Sequence, residues 1–478
     1  MFVDRERELE FLDHLLQRKR PGPAQLVLLY GRRRVGKSRL LLRWAERSAL
    51  PYSYWAAEKE GAGQQRRKLY GQLFGTSVEQ APVFGSWAEL WEAAAVRLRE
   101  RRQILILDEL PYAAESDSAM LSALQHAWDG KLKRSGAILA LCGSHVRTME
   151  SLLYRQSPLF GRLTGQWHLD PLPFRCLKTF FPGWSLADRV TAWAIVGGVP
   201  AYLEWLDPDC SIVDNLRRVV LSPGSMFLAE PMFLLYDEVR DPRNSLAVLK
   251  AIGAGHQTLD EIARASLIDK AHLSSYLSRL QELYLVERRL PATQSRDQRR
   301  RSRQGRYHLR GAYWRFFFRF LAPSSGTPAF TPSALYDTVR RELDAFVGAT
   351  AFEDLARDWL ASQAASRTLP FAPEQIGSHW SRRVQADVVA TRAASRDVLI
   401  GECKWTTAKV GLQAVRRFLD ETVPLVLQDL PGQGQGWRVH YAYFARSGFT
   451  RAAADLLRRR DALRVDLKTL SRGLATAS

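Results

Sequence analysis

The run Gly31-Arg32-Arg33-Arg34-Val35-Gly36-Lys37-Ser38 constrains the fold of this chain more than any other feature. It fits G-x-x-x-x-G-K-S without a mismatch, follows the short apolar segment QLVLLY (25–30) and opens the helical pattern SRLLLRWAERS. Strand, glycine-rich turn and helix in that order make a phosphate-binding loop. Gly31 and Gly36 let the backbone turn its N–H groups inward through Arg34 and Val35. The helix start at Lys37, Ser38 and Arg39 adds partial positive charge. Lys37 is expected to reach the β- and γ-phosphates of ATP, and the Ser38 hydroxyl to ligate Mg²⁺.

Such a loop works with a second, acidic site. The segment ILILDE (104–109) supplies one, because four apolar residues end in Asp108 and Glu109. A carboxylate at the tip of a buried strand can hold the metal, and its neighbour can deprotonate the attacking water. Asp108 is therefore assigned to Mg²⁺ and Glu109 to the general base. A third apolar run, 137–142, ends in Cys142-Gly143-Ser144-His145, where Ser144 or His145 is placed to sense the γ-phosphate. Arg162, in SPLFGRLTG, is a candidate for stabilising transition-state charge, and an arginine supplied in trans would require self-association.

At 478 residues the chain is long enough for two to four domains. No stretch reaches the ~18 uninterrupted apolar residues of a membrane span. The charged, amphipathic opening MFVDRERELEFL reads as neither signal peptide nor anchor. Four cysteines (Cys142, Cys176, Cys210, Cys403) with no CxxC pair read as free thiols, which predicts a cytoplasmic protein. Residues 1–165 alternate short apolar runs with helical patterns, as βαβ units do. Residues 166–240 read as a helical lid with the turn GGVP at 197–200. Residues 241–322 form a third part, and 323–333 (PSSGTPAFTPS) is a linker dominated by Pro, Ser, Thr, Gly and Ala. Residues 334–478 make the last domain.

The net charge of +19, with 57 Arg against 12 Lys, points to a polyanionic partner. Its focus lies in the third part. Leu246, Val248, Leu249 and Ile252 recur at helical spacing, and Thr258-x-x-Glu261 predicts a capping box. A helix at about 270–283 places Leu273, Leu277 and Leu280 on one face, with His272, Ser275 and Arg279 on the other. This is helix-turn-helix spacing, with 270–283 as the recognition helix. Strands 284–290 and 306–309, joined by 295–305, complete a hairpin where a wing belongs. Arg296, Arg299, Arg300, Arg301, Arg303, Arg306 and Arg310 against Asp297 give it a local charge of +6. DNA contact is expected there, mostly to phosphate, hence salt-sensitive and weakly sequence-specific.

In the last domain, strand VQADVVA (384–390) carries Asp387, and VLIGECKW (398–405) carries Glu402 and Lys404 on one face. Fourteen residues separate Asp387 from Glu402. That is the D-x(n)-E-x-K pattern of PD-(D/E)xK nucleases, in which two carboxylates hold Mg²⁺ and the ammonium positions the attacking water. Glu353, on the preceding helix, is the expected fourth member.

The motifs FVDRERELEFL, GRRRVGKSRL, ILILDELPY, LCGSHVRTME, SPLFGRLTG and GGVPAYLEWL occur in the order seen in the archaeal-type ATPase family, which the chain resembles along essentially its whole length. That family is a STAND-like branch of the AAA+ class whose members often carry a winged helix and a nuclease-like C-terminal domain. The resemblance implies that Arg5 and Glu6 lie near the adenine. It also implies that Gln385 replaces an acidic residue, which predicts weaker metal binding. The expected fold is α/β: a P-loop NTPase with a parallel sheet and helical lid, then a winged-helix domain and an α/β restriction-endonuclease-like domain. The expected function is an ATP-hydrolysing switch whose nucleotide state sets the posture of the DNA-binding parts, with the linker letting the last domain swing. Two other readings fit the same residues: a non-cleaving, ATP-dependent DNA-binding regulator, and a signal-transducing NTPase with a protein partner.

Overall fold

The computed structural model describes residues 1–18, 23–239, 241–323 and 331–475. They fall into two compact units, one of 1–172 with 199–201 and one of 173–198 with 202–478. Most of the expected linker, 324–330, lies outside the described residues.

The first unit is built on five parallel strands: β1 (Gln25–Tyr30), β2 (Tyr52–Ala56), β3 (Ile104–Asp108), β4 (Ile138–Gly143) and β5 (Gly165–His168), in the order β2-β3-β4-β1-β5. Every residue of β1, β3 and β4 is buried, as expected of parallel strands covered on both faces. Val27 and Leu29, Ile104 and Ile106, and Ile138 and Ala140 share one core with Leu40, Leu41 and Trp44 of the helix Lys37–Arg47. Leu9, Leu12 and Leu15 of the helix Glu6–Gln17 close it. Each such large side chain contributes roughly 1.5–3 kcal/mol by leaving water. The core does not stop at residue 165, because β5 begins there and pairs with β1 from Val27 to Tyr30.

The second unit contains the helical triplet Pro242–Gly253, Leu259–Ser266 and Lys270–Glu282. Both halves of the Thr258/Glu261 capping box are made, and Leu273, Leu277 and Leu280 are buried. The hairpin is shorter than expected: β6 (Val286–Arg289) pairs antiparallel with β7 (Arg306–Leu309). The connection is not a plain loop. Ser295 and Gln298 form a second capping box, which seeds the helix Arg296–Arg301 within the basic run.

A mixed sheet follows, in the order β12-β11-β10-β9-β8: β8 (Gln375–Trp380), β9 (Gln385–Arg392), β10 (Asp397–Lys404), β11 (Arg438–Ala445) and β12 (Leu463–Asp466). β9 runs antiparallel to both of its neighbours, β8 and β10, whereas β10, β11 and β12 run parallel. The segment after β6 is tied to this sheet. Ala292 N–H donates to the Ser378 carbonyl (2.9 Å), Trp380 Nε1 donates to the Gln304 carbonyl (3.0 Å), and Thr293 Oγ1 lies 2.8 Å from His379 Nδ1. These bonds hold the connection of the hairpin against the C-terminal sheet. Among the described residues, no helix is long and apolar enough to cross a membrane.

Candidate functional site

Gly31 leaves β1 in close contact with the backbone: a Cβ there would sit 2.4 Å from the Leu169 carbonyl oxygen. Only glycine fits that approach. Gly36 has φ +95° and Arg34 φ +67°, so the loop turns through left-handed backbone at two positions. The helix Lys37–Arg47 then starts with no side-chain cap on its first N–H groups. Lys37 is buried and its ammonium turns back onto the Arg32 carbonyl at 3.2 Å. Arg34 and Arg39 are exposed, and Val35 is fully buried beneath the loop.

Asp108 ends β3 and is 2% exposed. Its Oδ2 accepts a hydrogen bond from the Tyr54 hydroxyl (2.8 Å), and its Oδ1 accepts from the Glu109 N–H (2.9 Å). The Ser38 hydroxyl lies beside the same Tyr54 phenol. Burial, with Asp108 beside it, pushes the Tyr54 phenol well above its ordinary range, so it stays protonated as a donor. Tyr54 thus brings the two expected metal ligands together. Sequence reading missed it, since only the pairing of β2 with β3 puts Tyr54 two residues before the partner of Asp108.

Glu109 sits at φ +48°, a strained position for a residue with a Cβ. Its Oε2 accepts from the Ser144 N–H (3.1 Å) and the Ser144 hydroxyl (2.9 Å). The hydroxyl expected to sense the γ-phosphate therefore holds the expected base. His145 lies edge-on to Tyr112, which accepts from Arg33 Nη2 at 2.6 Å.

Arg5 and Arg162 each have several partners within the chain. Arg5 is buried and donates to the Val35 carbonyl (3.1 Å) and the Asp170 carbonyl (2.8 Å), so it clamps the phosphate loop. Its carboxylate partner is Glu8 at 2.8 Å, whereas Glu6 is exposed. Arg162 is engaged by both carboxylate oxygens of Asp129 (2.6–3.0 Å) and by the carbonyls of Pro158 and Phe160, which occupies it as a loop staple.

The residues fit a magnesium nucleotide. A buried ammonium faces a loop carbonyl, a helix start has no cap, and a hydroxyl and a carboxylate converge on one neutral phenol.

In the second unit Asp387 lies on β9 and Glu402 and Lys404 on β10. Asp387 Oδ2 accepts from the Cys403 N–H (2.9 Å), and Lys404 Nζ donates to Glu402 Oε1 (2.6 Å). Burial and the Glu402 charge raise the Asp387 carboxyl to about 6. Burial and the Asp387 charge raise Glu353 to about 8. The carboxyls are therefore close enough to repel one another. Arg357, which sequence reading missed, counters them by donating to the Asp387 carbonyl (2.7 Å), Glu353 (3.4 Å) and Asp354 (2.6 Å). Among the described residues, no three His, Cys, Asp or Glu groups are arranged to hold a metal ion.

The basic hairpin divides by partner. Arg299 donates to Gln375, and Arg306 donates to Gln385 (3.2 Å) while lying 5.0 Å from the centre of the Trp380 ring. Arg279, on the helix Lys270–Glu282, pairs loosely with Glu282 at 3.4 Å. Arg300, Arg301 and Arg303 are exposed on a cleft of about 910 Å³ between the helix Arg296–Arg301 and β8. Arg296 opens that helix.

A family profile described as an ATPase domain predominantly from Archaea matches residues 2–206. A second, described as archaeal and bacterial proteins of unknown function, matches residues 317–415. An uncharacterized protein of Methanocaldococcus jannaschii is 31% identical over 412 residues, covering 86% of this chain and 88% of that one. Among solved structures, a Walker-type ATPase of Pyrococcus abyssi is 19% identical with a TM-score of 0.46, covering 66% of this chain and 96% of that one. The ORC2 protein of Aeropyrum pernix, in ADPNP and ADP complexes, is 15% identical with a TM-score of 0.44, covering 72% and 95%.

Proposed function

Because the chain belongs to the family of ATPases found predominantly in Archaea, we propose that it is an ATP-hydrolysing switch that binds DNA. The observation that carries this reading is the convergence of Lys37, Ser38, Asp108 and Glu109 at the C-terminal edge of one parallel sheet. Ligands of open α/β sheets lie at that edge.

The loop amides and Lys37 hold the β- and γ-phosphates. Ser38 and Asp108 are the residues that would hold Mg²⁺, which supplies charge neutralisation at the transferring phosphoryl group. Glu109 takes the proton of the attacking water once its carboxylate leaves Ser144. Ser144 therefore acts as a latch on the base, and the γ-phosphate competes for the same hydroxyl. Measuring ATP turnover with and without DNA tests the reading. Turnover that vanishes in Glu109→Gln while nucleotide binding persists supports it, and turnover unchanged by that substitution overturns it.

The helical triplet and hairpin serve as a winged helix. The reading is supported by the exposed face of the helix Lys270–Glu282 and by exposed Arg300, Arg301 and Arg303 in the hairpin connection that follows β6. Nucleotide state is expected to change DNA affinity. Equal DNA affinity with ATP, with ADP and without nucleotide would overturn the coupling.

For residues 334–478 we propose a nuclease-like domain using Asp387, Glu402 and Lys404, with Glu353 beside them and Mg²⁺ as the expected ion. The 2.6 Å pairing of Lys404 with Glu402 also suits a non-cleaving regulator, because the ammonium already neutralises that carboxylate. Plasmid incubated with Mg²⁺ and the wild type, Asp387→Ala or Lys404→Ala separates the two. Cleavage lost in both variants supports the nuclease, and intact plasmid throughout supports the regulator.

A further inference from the structure

Within the second unit, a cavity of about 570 Å³ lies between the helical triplet with its hairpin and the C-terminal sheet. Its wall carries four guanidinium groups, those of Arg289, Arg306, Arg315 and Arg319, with His308 among them. Against them stand Glu353 and three paired carboxylates: Glu342 with Arg319 (2.7 Å), Glu287 with Arg289 (2.5 Å) and Asp354 with Arg315 (2.5 Å) and Arg289 (3.5 Å). Arg315 holds Asp354 at 2.5 Å through Nη1, yet its Nε is buried with no hydrogen-bond partner. A buried donor left unpaired is costly, and a bound acceptor would recover that cost. The environment is already cation-rich: burial, then Arg289 and Arg315, push the His308 ring down to about 3, so it stays neutral and can hydrogen-bond an anion.

The volume decides the class of ligand. Sites of ~300–1,000 Å³ take small molecules, and a DNA duplex, whose major groove alone is ~12 Å wide, does not enter such a space. We propose that this cavity binds a phosphate monoester on a nucleotide-sized body, either a free nucleotide or the phosphorylated end of a DNA strand, with Arg306, Arg315 and Arg319 as its anion clamp. The occupant would touch both the hairpin and the Glu353 side of the C-terminal domain, and so bridge the two.

The test uses the full chain carrying Lys37→Ala, which silences the phosphate loop, so failure of the ATPase reading and failure of this one are read separately. AMP, a 5′-phosphorylated DNA trinucleotide and the same trinucleotide with a 5′-hydroxyl are titrated by calorimetry. Saturable binding of AMP or of the phosphorylated trinucleotide is expected, with loss of about tenfold or more in affinity in Arg306→Gln and in Arg319→Gln. Arg319 is partly exposed, so its replacement leaves folding intact, and an unchanged melting temperature checks this. AMP alone binding assigns the free nucleotide, and the trinucleotide alone assigns the strand end. Upward movement of the His308 titration by NMR on ligand addition is the second expected signal. No binding of either phosphorylated ligand, equal binding of the two trinucleotides, or affinity indifferent to Arg306 and Arg319 would overturn the proposal.

Discussion

The two acidic clusters of this molecule are balanced in opposite ways. At the edge of the parallel sheet, Asp108 and Glu109 are held by neutral hydroxyls, those of Tyr54 and Ser144. On the C-terminal sheet, Glu402 is held by the Lys404 ammonium, and Glu353 and the Asp387 backbone by the Arg357 guanidinium. A hydroxyl yields to a cation or a phosphate at little cost, because it carries no charge to strand. A paired cation yields less readily, and least so where it is largely buried as Arg357 is, since removing its partner leaves a charge uncompensated. The first cluster is poised to accept a ligand. The second already contains its own counter-charges and must rearrange to accept one.

Five variants sharpen or break that contrast. Lys37→Ala should have the largest effect, weakening ATP binding by roughly two orders of magnitude or more in a calorimetric titration. Glu109→Gln should lower kcat by about 10²–10³-fold with nucleotide affinity nearly unchanged, since it removes the proton acceptor and keeps the shape. Replacing Arg300, Arg301 and Arg303 together by Gln should weaken duplex DNA binding about tenfold or more at 0.1 M salt. The slope of log K against log salt should fall by about 3. Arg299→Gln should weaken it less, because that guanidinium is spent on Gln375.

Glu353→Gln gives the smallest effect, and it is read as stability. The folded chain keeps the Glu353 proton up to about pH 8, whereas the ordinary value is 4.5. Between those values the unfolded state has lost a proton that the folded state retains, so stability falls as pH rises and is regained below about 4.5. The Gln variant should therefore be more stable at pH 8, by about 2 kcal/mol, with a flatter profile in thermal melts. A profile as steep as that of the wild type would break the comparison, since it would mean that Glu353 is ionised in the folded chain.

The contrast also follows what the sequence can disclose. The phosphate loop, Asp108 and Glu109 are local signals, in which eight consecutive residues or one strand tip state the chemistry. The Thr258/Glu261 capping box and the stripe of Leu273, Leu277 and Leu280 are local too, and were legible for the same reason. Tyr54 was not, because its role depends on β2 lying beside β3. The end of the first core was misplaced, because β5 is four residues long and gains its identity from β1. The helix Arg296–Arg301 hid inside a charge run, where seven arginines drew attention away from Ser295 and Gln298. In the C-terminal domain the carboxylates were visible as a pattern, but Arg357 lies thirty residues from Asp387. Long-range neutralisation has no local spelling.

The central claim is that the loop around Lys37 takes up a magnesium nucleotide. Calorimetric titration of the wild-type chain with ATP in the presence of Mg²⁺ tests it most directly. The account predicts one saturable site per chain with a dissociation constant of roughly 1–100 μM, abolished by Lys37→Ala. Absence of heat up to about 1 mM ATP, or equal uptake by the wild type and Lys37→Ala, would contradict it.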